Sequence, residues 1–455
     1  MPLPPMPAES HGPHTPLSSA SPESGGPDAP ASAALVNAAS ADSSRPVPCV
    51  GDVGTDAPVP APRSASSPLS VSTAPSVPSV EVREGPLRPC LTELRLSAFA
   101  GHRRAGFPLG PLTLFAGPSG CGKSTALRAY EALARLGAGA PLVEALPDPV
   151  ACVPDRARPD AQRRRGFRIG CTVDGPEGPV RLDVAVQVEP ELRIVGERLT
   201  ASGLVLLETA LRDPGRRAVQ AAWHTAGTSP VTRAPLPDDR LGTALLPLRV
   251  AGKTDGQRRV LAAAEQTVVA LRTVFACDPR PERMREPVLM GSGRLLPGCD
   301  NLADVLWRTR AECARRHAQL VTAVQAGCAG RVTDLVSEPA GDGTVRAMLD
   351  RGDGTRTDLG RLGDGELRYL ALALVLLTGP GVLDVDVPGE VPDAIKVLTV
   401  LADGLDRALD PRQRTELLRL AARMCTRGHI RFVGAVSDAS WTGEVPGVTV
   451  VHLDA

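Results

Sequence analysis

Aromatic side chains are almost missing from this chain: six Phe, three Trp and two Tyr in 455 residues. Its core must therefore be built from Leu, Val and Ala. Lysine is scarcer still, since of 51 basic residues only Lys123, Lys253 and Lys396 are not arginine. Acidic residues also number 51, so no net charge draws the chain toward nucleic acid or a membrane surface. Asn occurs only at 37 and 301, and the N-K-x-D motif of GTPases is absent. The ten cysteines (49, 90, 121, 152, 171, 277, 299, 313, 328 and 425) include no C-x-x-C pair. Metal-site spacing is thus lacking, and the pattern suits a reducing compartment. His11 and His14 sit in a Pro/Ser stretch and read as solvated rather than metal-bound. The longest apolar run, residues 370–377, stops at Thr378-Gly379-Pro380 and is too short to span a bilayer. The opening Met-Pro-Leu-Pro-Pro-Met has neither the basic nor the apolar region of a signal peptide. A cytoplasmic location and no membrane partner are expected.

What is present is concentrated in nine residues, Gly117-Pro118-Ser119-Gly120-Cys121-Gly122-Lys123-Ser124-Thr125. They satisfy G-x-x-x-x-G-K-[ST] between an apolar run at 112–116 and a helix-forming run at 124–136. Glycines let successive backbone N–H groups turn toward a polyphosphate that also sits on the positive end of the helix dipole. Lys123 would reach the β- and γ-phosphates, and the Ser124 hydroxyl would ligand Mg²⁺. In a chain that uses arginine almost everywhere, lysine persists where a compact ammonium fits and a guanidinium would not. The motif predicts binding of a nucleoside triphosphate together with Mg²⁺.

Residues 1–88, rich in Pro, Ser, Ala and Gly, are too poor in large apolar groups to offset the entropy of ordering and read as a disordered tail. From there, alternation predicts a strand over 91–99 and a second over 107–114 leading into the loop. Phe99 reads as a core residue in preference to an adenine platform. The triplet Arg163-Arg164-Arg165 reads as a solvated face. Residues 167–173 and 180–188 form a hairpin about the turn 174–178, and 192–199 and 204–211 extend the same antiparallel sheet. Helical spacing covers 257–275 and again 302–324, the latter capped by Asp300 or Asn301. A short strand is expected at 346–349.

A loop of small residues, Gly363-Asp364-Gly365, opens an apolar helix over 367–377 and offers further N–H groups to an anion. A buried strand over 397–402 ends at Asp403, the place from which a carboxylate holds Mg²⁺ beside a phosphate loop. Asp410-Pro411 starts a helix that Gly428 closes. Strands over 432–436 and 448–453 complete the sheet.

Taken in order, these pieces resemble the heads of ABC-type ATPases. The nearest likeness is to the soluble RecF/SMC/OLD-like branch of AAA-family ATP-binding proteins, over residues 90 to 455. Leu91-Thr92-Glu93-Leu94-Arg95-Leu96 with Phe99, Leu362-Gly363-Asp364-Gly365-Glu366-Leu367-Arg368-Tyr369-Leu370 and Ala408-Leu409-Asp410-Pro411 carry it, as does the stretch 278–284 with Asn301-Leu302. The resemblance implies an α/β P-loop NTPase head with a mixed sheet, an antiparallel β subdomain and a helical insertion. Its divisions are 89–140 (phosphate-loop half), 141–350 (insertion) and 351–455 (signature and Walker B half). It also implies that ATP, bound through Lys123, Ser124 and Asp403, is closed over by Gly363, Asp364 and Gly365 of a second copy, giving an ATP-dependent homodimer. Two positions depart from the family pattern. Gly404 replaces the Walker B Glu that polarises the attacking water, leaving Asp406 as the near alternative, and Ser437-Asp438 occupies the place of the switch His. His429 and His452 lie at the wrong ends of their strands to substitute. Gln162 and Gln187 are candidates for the Q-loop glutamine. A slow Mg²⁺-dependent ATPase and a non-hydrolysing ATP switch both fit. A small-molecule kinase leaves the signature unexplained, and association with DNA comes only by analogy with the family.

Overall fold

Residues 112–116 (Leu-Thr-Leu-Phe-Ala) are buried on both faces, as a strand must be when helices cover each side of its sheet. In the computed structural model, which describes residues 88–226, 230–291, 293–385 and 396–454, this strand lies inside a five-stranded parallel sheet. The order across it is Val274–Cys277, Leu398–Ala402, Ile430–Val436, Leu112–Ala116 and Val448–His452. The period-2 alternation of side chains sends them into two separate cores. Phe115, Leu401, Val433 and Ala435 enter one, with the phosphate-loop helix Lys123–Gly137 and the helix Asp255–Arg272. Leu112, Leu114, Leu398, Val400 and Phe432 enter the other, with the helices Asp364–Leu377 and Pro411–Thr426. The tail expected over 1–88, with His11 and His14, lies outside the described residues save for Arg88.

A separate eight-stranded antiparallel sheet contains Cys90–Phe99, His102–Pro108 and the expected hairpin, seen as Arg165–Asp174 and Val180–Glu189. Phe99 is buried with its ring edge-on to Phe167 at 4.9 Å, which is the core role expected of it. Arg431 ties the two sheets together: from the parallel sheet its Nη2 donates to the carbonyls of Leu91 (3.0 Å), Leu109 (2.8 Å) and Gly110 (2.8 Å). The arginine triplet is exposed or partly so, Arg164 pairing with Asp160 at 2.8 Å and Arg165 with Glu189.

Several expected elements are redrawn. The single strand over 107–114 is two strands in different sheets, ending at Pro108 and restarting at Leu112, because Gly110-Pro111 breaks the ladder between them. The helix expected over 257–275 stops at Arg272, and Val274–Cys277 is the edge strand of the parallel sheet. Thr273 makes the exchange, its hydroxyl donating to Val269 O (3.1 Å) while its carbonyl accepts from Thr399 N (2.8 Å). The helix expected over 302–324 is two, Leu302–Glu312 and Ala314–Gly327, broken at an extended Cys313. The second piece is drawn toward strand Asp334–Gly341 by the His317–Asp334 contact at 2.6 Å. Neither Asp300 nor Asn301 caps the first piece. Asn301 bridges Leu296 N and Arg294 O, while Asp300 faces Arg280 and Arg283. Strands Ala218–His224, Val231–Pro237 and Asp334–Gly341 are additions. Asp410 does cap its helix, accepting from Gln413 N at 2.7 Å while Gln413 Oε1 accepts from Asp410 N at 3.1 Å. Among the described residues no helix is long and apolar enough to cross a membrane.

Candidate phosphate-binding cleft

The loop after Ala116 reaches a helix whose first residue is Lys123, with Gly122 as its N-cap at φ +98°. The first ladder bond is Ala126 N to Gly122 O (2.9 Å), so the N–H groups of residues 122–125 precede the ladder and face outward from the helix end. The Lys123 ammonium curls over the loop, donating to Gly117 O (2.7 Å) and Pro118 O (2.8 Å) and lying 3.6 Å from the Sγ of buried Cys121.

Asp403 follows the strand two places across the sheet, with Ile430–Val436 between it and the phosphate-loop strand. The parallel order brings the carboxyl ends of all three strands to one edge, where ligands of open α/β sheets bind. A cleft of about 440 Å³ lies there. Ser119, Gly120, Gly122, Lys123, Ser124 and Thr125 form one wall, and Asp403, Gly404, Asp406 and Arg407 the other, with Ser437 at the base. The Ser124 hydroxyl and the Asp403 carboxylate have no hydrogen-bond partner among the described residues. Two free oxygen donors on one cleft suit Mg²⁺, a hard cation that keeps most of its shell as water and phosphate oxygen. Bound there, the ion would neutralise charge on the phosphates.

Other expected site residues are placed elsewhere. Asp406 lines the cleft, but its carboxylate is turned to Ser437, accepting from the backbone N–H at 2.8 Å and from the hydroxyl. Asp438 turns away to the Ser440 hydroxyl and N–H, which hold its carboxyl below the usual carboxylate range. Gly117, Pro118 and Cys121 belong to the loop behind the cleft wall. Gly363, Asp364 and Gly365 do not line the cleft; Asp364 accepts from Arg285 at 2.6 Å, and a Cβ on Gly365 would overlap the Ala408 carbonyl. Neither Q-loop candidate lines it: Gln162 is exposed, and Gln187 is buried on the antiparallel sheet, donating to Glu191 O at 3.2 Å.

Two residues take roles at the site that only the fold shows, the second of them within the run 362–370 quoted above. His102 contacts the phosphate loop through Nε2, 3.1 Å from Gly122 O, with its ring edge-on to Phe107. Because a carbonyl only accepts, that nitrogen carries the proton. A Cβ on Gly122 would stand 2.5 Å from the same nitrogen, so glycine there serves both the left-handed turn and the ring's approach. His102→Ala is expected to weaken nucleotide binding about 3–10-fold and to cost about 1 kcal/mol of stability, the worth of one hydrogen bond to the loop. A fluorescent-nucleotide titration checks it. The second is Arg368, one turn into the helix that Gly363 opens. It is buried and donates to Pro279 O (2.8 Å), Gly404 O (3.2 Å) and Asp403 O (3.4 Å). The helix behind the signature loop therefore holds the backbone at which the Asp403 carboxylate is mounted.

A larger hollow of about 700 Å³ lies on the outer face of the antiparallel sheet, but Arg95, Arg181 and Arg198 in its lining are all paired with carboxylates.

Strand, glycine loop and helix, with an Asp-ended strand two places across a parallel sheet, are the architecture of a phosphate-loop α/β fold. No protein-family model matches the chain, and no curated protein matches it. Among solved structures it is similar to an SMC head bound to the C-winged helix domain of ScpA, at 11% identity over 76% of this chain and 90% of that one, with a TM-score of 0.43. It is similar also to an SMC head domain from Thermotoga maritima, at 12% identity over 80% and 94% of the two chains, TM-score 0.38. A third is an SMC head with an extended coiled coil bound to the C-terminal domain of ScpA derived from Pyrococcus furiosus. It matches at 12% identity over 80% and 94%, TM-score 0.40.

Proposed function

We propose that this chain binds ATP with Mg²⁺, and that ATP closes two copies against one another and is then hydrolysed slowly. The observation that carries the reading is the meeting of Lys123, Ser124 and Asp403 on one cleft from distant parts of the chain. Lys123 and the helix N-terminus would hold the β- and γ-phosphates, Ser124 and Asp403 the ion. Gly363, Asp364 and Gly365 would engage the triphosphate of a second copy, which accords with their standing outside the cleft of their own. Slow turnover follows from the residues opposite the phosphates. Gly404 has no carboxylate to orient water, and Asp406 is occupied by Ser437.

The same two residues favour a second reading, in which ATP holds the pair together and is not consumed. A ligand that binds only the closed pair stabilises it by mass action, with no chemistry required. Sedimentation with and without ATP, run beside a phosphate-release assay against Lys123→Ala, separates them. Dimers with phosphate release above the control support the ATPase. Dimers without it support the switch, and a monomer in both conditions removes the pairing from either reading.

A further inference from the structure

We infer that Arg407 binds the terminal phosphate of the nucleotide, occupying the space that Gly404 leaves open. The inference rests on the reading of the cleft given above and adds to it a residue that no motif marks. Arg407 lies in the turn leaving the Asp403 strand, its backbone N–H bound to Gly404 O at 3.0 Å. That turn folds the guanidinium back over Gly404. A Cβ at 404 would stand 3.3 Å from both Nε and Nη2 of Arg407 and 3.5 Å from Cζ. The residue lines the same cleft as Lys123 and Ser124. Among the described residues its guanidinium has no hydrogen-bond or ion-pair partner, and the adjacent carboxylate of Asp406 is given to Ser437.

Three cationic groups therefore line one cleft, which Asp403 and Asp406 also line: Lys123, the N-terminus of its helix and Arg407. Such a set is complementary to a polyanion, and a planar guanidinium matches two oxygens of a phosphate at once. Glycine at 404, with φ +58°, suits the left-handed turn and leaves the guanidinium room to lie close over it, where a Cβ would make a tight contact. A Glu at that position would fill the space and pair with the arginine. Where the family pattern puts a carboxylate that orients water, this chain puts a cation that grips phosphate. The third phosphate is the part of ATP that ADP lacks, so Arg407 is expected to set the preference of the cleft for ATP over ADP.

The test is the ratio of ATP to ADP affinity in the full chain with Mg²⁺, measured by calorimetry for wild type and Arg407→Ala. The side chain is exposed, so the variant should fold as wild type does. ADP affinity is expected to be unchanged and the preference for ATP to fall about tenfold, the scale of one charge-assisted contact to phosphate. An unchanged ratio overturns the role of Arg407 while leaving the cleft intact. Failure of wild type to bind either nucleotide overturns the cleft and the arginine together.

Discussion

Lys123→Ala is expected to lose ATP binding by at least about 100-fold, roughly 3 kcal/mol, with the fold intact. The loss follows from what the ammonium does. In the proposed reading it would bridge two phosphates, and a methyl group supplies neither charge nor donors. The retained fold follows from where it sits. Its partners in the protein are the carbonyls of Gly117 and Pro118, and the lysine itself lines an open cleft that water can enter when the side chain is truncated. The melting temperature should therefore stay within about 2 °C of wild type, as for a substitution away from the core. Titration with a fluorescent ATP analogue and a thermal melt check both halves. Wild-type affinity in the variant would remove the phosphate loop from the site.

Arg368→Met is expected to act oppositely, costing about 2–4 kcal/mol of stability. Methionine fills similar space but offers no donors. The carbonyls of Pro279, Asp403 and Gly404 would lose a common partner, in a place where Arg368 itself is only 3% exposed. Asp278, 3.5 Å away, loses its counter-charge but is itself open to water and adds little. A fall in the urea midpoint measures the first effect. A second readout concerns the site: with the backbone of Asp403 released, more Mg²⁺ should be needed to half-saturate ATP binding. Arg368→Lys, which restores a charged donor, is expected to recover part of both. A midpoint within about 0.5 kcal/mol of wild type would show that this guanidinium does not hold the loop.

The readable parts of the chain were those where chemistry restricts residue types over a few neighbours. A phosphate cradle needs glycine, lysine and serine at set spacing, so 117–125 stood out, and an apolar run ending in a single acid placed Asp403. The Asp410-Pro411 start was legible because capping is local. What stayed hidden depended on distant partners. Nothing around Thr273 signals that a helix gives way to a strand, since Val274–Cys277 continues the apolar pattern and only its pairing with Leu398–Ala402 decides the matter. The break at Cys313 has no Gly or Pro to announce it, and the tie from His317 to Asp334 joins separate elements. Strand Val231–Pro237 was masked by its prolines, which an edge position tolerates. His102, Arg368 and Arg407 belong to the same group. Each acts on a backbone or cleft that the fold, not the neighbouring sequence, brings within reach.

The phosphate-loop strand has no neighbour from its own stretch of chain. It is flanked on one side by Ile430–Val436 and on the other by Val448–His452. During synthesis on the ribosome, the loop at 117–125 therefore emerges long before anything exists to hold its strand. The proposed nucleotide capture would have to wait until the last strands have been made and have threaded in on either side. A chain cut short ahead of residue 430 would carry the whole loop motif and still have no sheet in which to seat it.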